Sequence, residues 1–328
     1  MNRIVILDPT TLLGREVRET LERLPGPPHR LELLATDDTA VGTVTEAYGE
    51  ATLVARADTS SLASADLVFA CGGAEEHSRK LLADRPPGTT AILLSTDATA
   101  HDGRAVVLGI NDASAAPGEC LRSPHPGAVT LAHLLFPLVP LGLESVTATV
   151  VQPVSMFGQE ALEEIFEQGR SIIAMTSSPK TRWDRQLAFN LYPAPDVAPG
   201  TLTAILRELG LPATVEVAAE VLQGTIFHGV AASVFARFPA GSTVTVQDLE
   251  RALTATGFVT LDTDGDERPG MPGPVEVANE QDLIVGGIRP APGAPGLFVI
   301  WAVMDNLTLG GARNAVEVGL RLTNLPRV

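Results

Sequence analysis

The chain is poor in lysine, in cysteine and in positive charge, and each shortage closes off a class of chemistry. Its only lysines are Lys80 and Lys180, so Schiff-base catalysis has few candidates. Its two cysteines, Cys71 and Cys120, are too few for a disulfide framework or a cysteine-rich zinc site. A formal net charge of -16 argues against nucleic acid or an anionic membrane as partner, because phosphate binding needs basic surface. Long hydrophobic runs are missing too. The most apolar stretch, Ala128 to Leu143, is interrupted by Pro137 and Pro140 and carries His133, which is too short and too broken for a bilayer span. The opening MNRIVILD has no charged-then-apolar signal segment, and a soluble cytoplasmic protein is expected.

What is present is enough for two globular domains. The chain has 328 residues, 45% of them hydrophobic, more than one core usually holds. Its 30 glycines and 25 prolines are scattered rather than clustered, so the chain reads as loop-rich and not as low-complexity. Short apolar strands alternate with helical patterns in the first third. Arg3–Leu7, Arg30–Thr36, Ala65–Cys71, Thr90–Thr96 and Ala105–Asn111 read as strands, with helices from Leu12 and from His77 to Leu82. That rhythm predicts a Rossmann-type, doubly wound parallel sheet.

Beyond residue 125 the rhythm changes. A helix is expected at Val129–Val139, a period-two strand at Ser145–Ser155, an acidic helix at Gln159–Gln168 and a helix at Leu202–Gly210. Long strands follow at Thr214–Phe227, Gly229–Phe238, Gln281–Arg289 and Gly296–Asn306. This predicts an α+β domain with a large mixed sheet. The boundary is expected in the Ser123–Gly127 turn. The first domain then spans 1–125 with a C-terminal helix returning to it from 307–328, and the second spans 126–306.

A dinucleotide-binding turn calls for glycines at the tight turn, at the pyrophosphate and at the helix packing. Here the turn reads Asp8-Pro-Thr-Thr-Leu-Leu-Gly14, so only the last glycine is kept. Thr11 sets a Cβ where backbone should meet phosphate, and Asp8 brings negative charge to the same place. Asp37 and Asp38 end the second strand. They suit either a ribose hydroxyl or a capping role on an ordinary loop, and they would repel the 2′-phosphate of NADP. Gly72 and Gly73 follow a strand, which fits a phosphate or nicotinamide contact or a plain turn.

Several segments together resemble the aspartate-semialdehyde dehydrogenase family across nearly the whole chain. They are VVQPVSMFGQEALEEIFEQ, RQLAFNLYP, PGPVEV, VGGIR and MDNLTLGGARNAVEVGLRL, and they stand in family order. The last contains Asn306, a further candidate cofactor contact. The resemblance implies a two-domain fold whose second domain dimerises, and an NADP-dependent reaction. In that reaction a cysteine in an Asn-Pro-Asn-Cys turn attacks the substrate, a histidine is the base, a glutamine orients or polarises, and arginines hold carboxylate and phosphate. Carried over, the cysteine position is Pro126 in Ser123-Pro124-His125-Pro126 and the base position is Val230. The glutamine is kept as Gln152, the substrate arginine becomes Gln223, and a phosphate-gripping arginine becomes His101. His125 and His228 lie in the two segments that form the family's cleft; without a carboxylate or cysteine at ligand spacing, no metal site is expected.

Proline and valine supply neither thiolate nor proton acceptor. Cys120 lies six residues before Pro126, too far along an extended chain to stand in, and Cys71 and Cys120 both read as inert buried cysteines. The departures resemble those of the Usg-like branch of the family, described as homologues without the catalytic cysteine. The leading expectation is a catalytically silent paralogue that acts by binding or association. It would be a homodimer through the second domain, with Val150–Gln168 and Gly296–Asn306 at the interface, or a partner of an active homologue. The other expectation is an active oxidoreductase of altered mechanism that uses Asp37 or Asp38 to bind NAD. No cofactor is assigned, and NAD suits the acidic turn better than NADP.

Overall fold

The computed structural model describes residues 3–24, 30–72, 76–262 and 271–323. In chain order the first elements are β1 (Arg3–Leu7), α1 (Leu12–Glu22), β2 (Arg30–Ala35), β3 (Val44–Ala47), β4 (Glu50–Leu53), β5 (Ala55–Arg56), β6 (Leu67–Ala70), α2 (Glu76–Ala83), β7 (Thr90–Leu93), β8 (Arg104–Ala105) and β9 (Cys120–Arg122). The middle of the chain forms α3 (Pro126–Leu135), β10 (Ser145–Gln152), α4 (Gln159–Ile173), β11 (Leu191–Pro193), α5 (Thr201–Glu208), β12 (Glu216–Gly224) and β13 (Val230–Arg237). Then come α6 (Val246–Thr254), β14 (Val259–Leu261), β15 (Leu283–Pro290), β16 (Leu297–Met304) and α7 (Arg313–Leu322). The chain divides into two compact units: Met1–Pro124 with Gly311–Val328, and His125–Gly310.

The first unit holds the expected parallel sheet, in the order β5-β2-β1-β6-β7-β9-β8 among the described residues. Among the described residues its strand pairings are parallel, and β1 lies between β2 and β6. The strand order reverses at β1 and β6, so the carboxyl ends of those two strands form the crevice in which open α/β sheets bind ligands. Strands buried on both faces need continuous apolar runs, and β6 and β7 are buried along their whole length. The last helix, α7, returns to this unit and packs against β7 and α1.

One predicted strand of the first unit is corrected. Of Ala105–Asn111, only Ala105 is in a strand; Val106 to Asn111 turns away although Val106, Val107 and Leu108 are fully buried. Side-chain amides replace the ladder there. Asn111 Oδ1 accepts from Val107 N–H at 2.9 Å, Asn314 Oδ1 accepts from Leu108 N–H at 2.7 Å, and Asn314 Nδ2 donates to the Val106 carbonyl at 3.0 Å. Its neighbour β9 takes the place beside β7.

The second unit is built on a mixed sheet, β11-β12-β10-β13-β16-β15-β14 among the described residues. Two of its strands, β10 and β12, run parallel and in register from Ser145↔Glu216 to Gln152↔Gln223. That pairing brings the two glutamines side by side at the strands' carboxyl ends. One face of the sheet is covered by α3, α5 and α6. Helix α3 begins earlier than its periodicity suggested, because Pro126 fits the first helical position. It gives way to a 3-10 turn over Phe136–Leu141, where Pro137 and Pro140 cannot continue the α-helical ladder. All ten residues of α3 are buried.

Candidate functional site

The positions that resemblance assigns to nucleophile, orienting amide and substrate clamp meet in the second unit, at the carboxyl ends of β10 and β12 and the amino end of α3. His125 caps α3, its Nδ1 accepting from Gly127 N–H at 3.0 Å. That bond fixes the tautomer: the proton resides on Nε2, which faces Gln152 Oε1 at 3.0 Å and donates to it. The amide of Gln152 then donates from Nε2 to Gln223 Oε1 at 2.8 Å and to Asp196 Oδ1 at 3.0 Å. In turn, Gln223 Nε2 donates to the Gly224 carbonyl at 2.9 Å and the Gln152 carbonyl at 3.3 Å.

The histidine and both glutamines of this network are buried, while its outer member, Asp196, is exposed. Gln152 is 0% exposed, Gln223 1% and His125 6%. Each glutamine amide nitrogen has two hydrogens and uses both within the chain. Burial holds the His125 imidazole below its ordinary range, against the opposing pull of Gln152 and of the Asp196 carboxylate. With Nδ1 filled by Gly127 N–H and Nε2 protonated, the ring has no free lone pair for a substrate proton or a metal. Pro126, next in the chain, has no side-chain nucleophile. Val230 is fully buried at the start of β13, paired across the sheet with Met304. Among the described residues, no group of three histidine, cysteine or acidic side chains is arranged to hold a metal ion.

Asp196 was not foreseen. It lies in the loop between β11 and α5, 44 residues from Gln152, and no local pattern marks it. Asn306, a candidate cofactor contact, is a clamp inside the second unit: its Oδ1 accepts Gly229 N–H at 2.9 Å and its Nδ2 donates to Ser155 Oγ at 3.1 Å. His228 is half-buried in the turn between β12 and β13, outside the network.

In the first unit the residues of the expected dinucleotide turn are spent on one another. Gly14 is needed for packing, since a Cβ there would lie 2.4 Å from the Asp8 carbonyl oxygen. Thr11 caps α1: its Oγ1 accepts from Gly14 N–H at 3.0 Å, and its hydroxyl hydrogen lies between the carbonyls of Asp8 (2.9 Å) and Cys71 (3.0 Å). Asp8 is buried with φ +59°. Its Oδ1 accepts from Thr36 N–H at 2.7 Å, and both carboxylate oxygens lie within 2.9 Å of Thr36 Oγ1. Gly72 lies against that carboxylate, for a Cβ there would be 2.2 Å from Asp8 Oδ2. Gly73 lies outside the described residues.

Both members of the acidic pair have partners within the first unit. Asp37 is exposed and accepts from Thr39 N–H at 2.9 Å and Thr39 Oγ1 at 2.8 Å, which lowers its carboxyl below the ordinary range. Asp38 pairs with Arg56. His101 is exposed on a turn organised by its neighbour, Asp102. The Asp102 carboxylate takes Arg79 Nε at 2.6 Å and Thr99 N–H at 2.8 Å, and the arginine above all brings it down to about 2. Burial pushes the Cys71 thiol well up and the Cys120 thiol up, and Cys120 donates to the Asp102 carbonyl at 3.2 Å.

The family model for the semialdehyde dehydrogenase dimerisation domain matches residues 135–309. The chain is 26% identical to a USG-1 protein homolog of Pseudomonas aeruginosa over 96% of both proteins. It is 25% identical to an aspartate-semialdehyde dehydrogenase of Bacillus subtilis, over 98% of this chain and 97% of that protein. Among solved structures, a probable aspartate-semialdehyde dehydrogenase from P. aeruginosa superposes with a TM-score of 0.85 at 25% identity, covering 98% of each chain. Aspartate semialdehyde dehydrogenase II of Vibrio cholerae superposes with a TM-score of 0.83 at 18% identity over 98% of each, a likeness of fold.

Proposed function

We propose that this chain, which belongs to the semialdehyde dehydrogenase family, works by association and not by turnover. The observation that carries the reading is the closed network around Gln152. Where the family resemblance calls for a thiolate, a base and a substrate clamp, this chain has Pro126, Val230 and Gln223. The retained amide of Gln152 is consumed by His125, Asp196 and Gln223. In other enzymes, removing nucleophile and base together costs on the order of 10⁶ in kcat, about 8 kcal/mol. An amide whose donors are all engaged does not restore that.

The cofactor that the family implies is a poor fit to the first unit. Asp8 and Thr11 occupy the turn that should approach a pyrophosphate, and Asp37 is satisfied by Thr39. No step through a nicotinamide is therefore derived.

Association is proposed through the second unit, with a second copy of the chain as partner. The sheet face opposite α3, α5 and α6 bears exposed Thr147 and Phe235, flanked by half-buried Thr149, Ser233 and Trp301. On α4, Phe166 and Ile173 are exposed beside Phe189 and Phe227, around a groove of about 350 Å³. The exposed aromatic and aliphatic side chains around the α4 groove call for a cover, and an obligate interface should bury more than about 2,000 Å². An active homologue of the same family is the other partner the proposal admits. Among the described residues no helix is long and apolar enough to cross a membrane, and a cytoplasmic location is part of the proposal.

The direct test is turnover of aspartate semialdehyde with phosphate and either NAD or NADP. None above background is expected. Turnover that disappears in Cys71→Ser or Cys120→Ser would overturn the reading and reveal a relocated nucleophile.

A further inference from the structure

We infer that Asp8 is a built-in plug in the crevice of the first unit, and that this side chain is the main obstacle to a dinucleotide there, with the Thr11 Cβ a lesser one. The crevice lies at the carboxyl ends of β1 and β6, where the strand order reverses, the place at which open α/β sheets receive ligands. Helix α1 starts just beyond β1, and its closing glycine is kept as Gly14. The amino end of such a helix ordinarily faces a pyrophosphate.

Asp8 opposes that use in three ways. Its carboxylate is already an anion in the crevice. It takes the Thr36 N–H and hydroxyl at the end of β2, the strand whose end ordinarily faces the ribose. It also fills the space between the ends of β1 and β6, because its Oδ2 presses on Gly72 so closely that no Cβ fits there. The backbone at Asp8 has φ +59°, a conformation that glycine adopts freely and aspartate seldom does. The turn thus keeps a glycine's shape while carrying a carboxylate.

The test is NADH binding to the full chain, followed by nicotinamide fluorescence and calorimetry, for the parent protein, Asp8→Gly and Asp8→Asn. Glycine suits the positive φ, so Asp8→Gly is expected to keep the parent's melting transition. The parent is expected to show a Kd weaker than about 1 mM and Asp8→Gly a Kd at least about tenfold tighter. Asp8→Asn, which removes the charge and keeps the volume, should gain less, about threefold. A micromolar Kd for the parent would overturn the inference, as would a folded Asp8→Gly that binds no better than the parent. If Asp8→Gly lost its cooperative melting, Asp8→Asn alone decides: unchanged affinity overturns the plug. No arm requires turnover, so the result is separate from the reading of the second unit.

Discussion

At the scale of single residues, His125 is the group whose protonation the fold resists. Its pKa is held below the ordinary 6.5 by burial. In acid the unfolded chain therefore takes up the proton first, and stability is complete above pH 6.5 and drains away as pH falls below it. The slope can reach at most one proton, about 1.4 kcal/mol per pH unit. Urea midpoints measured from neutral to mildly acidic pH should show this decline, and His125→Asn, which can still cap α3, should flatten it. An identical slope in the variant would refute the assignment. Gln152→Leu tests the same network from its centre. It strands the His125 Nε2 proton and Gln223 Oε1, and a buried unsatisfied group costs about 1–3 kcal/mol. A loss of roughly 2–4 kcal/mol in urea unfolding is expected; a change under about 0.5 kcal/mol would mean that the network is not structural. Restoring the missing pair with Pro126→Cys and Val230→His should still yield no turnover above the parent's, because Gln223 and the engaged Gln152 remain. A buried histidine in place of Val230 should also lower the melting temperature.

At the scale of elements, α4 anchors the segment that follows it. Glu164 and Gln168, one turn apart, are both buried. The Glu164 carboxylate accepts the N–H groups of Arg182 at 2.7 Å and Thr181 at 3.1 Å, and Gln168 Oε1 accepts those of Leu187 at 2.8 Å and Ala188 at 3.0 Å. The polar connection after α4 is thereby tied to the helix at two points. Behind it, Trp183 packs edge-on to Phe157 with ring centroids 5.0 Å apart. Gln168→Ala should release the segment, and limited trypsin should cut after Lys180, Arg182 or Arg185 several-fold faster than in the parent while the melting of the remainder changes little. An unchanged cleavage rate would show that Glu164 alone holds the connection. The sequence carried the capping box at the start of α6, Thr245 with Asp248 three residues on, which is legible by spacing alone. It carried no sign that Val106–Asn111 would leave the sheet, since the amides that replace its ladder come partly from Asn314, 206 residues further along the chain.

At the scale of the whole molecule, the proposal stands on assembly. Sedimentation at micromolar concentration should give a species of twice 34.3 kDa. Phe235→Asp, which sets a charge on the open sheet face, should shift it to the monomer without altering the far-ultraviolet spectrum. A single 34.3 kDa species at every concentration would remove the homodimer. Two copies would together carry twice the net charge of -16, so self-repulsion opposes association. Added salt should tighten the dimer by screening that repulsion.

Much of this protein was determined by sequence alone, because strand alternation, helix period, proline breaks and helix caps act over a few residues. Those local rules, with family segments in order, were enough for a parallel sheet unit, a mixed-sheet unit, a returning last helix and the family itself. They also marked Pro126, Val230, Gln152 and Gln223 as the positions to watch. Only the tertiary structure decided what those residues do. Gln152 meets His125 from 27 residues away, Asp196 from 44 and Gln223 from 71; likewise Asp8 finds Thr36 across 28 residues. A buried donor or acceptor must be matched by whichever group the fold brings near it. That match depends on how distant strands align, and no local pattern in the chain encodes it.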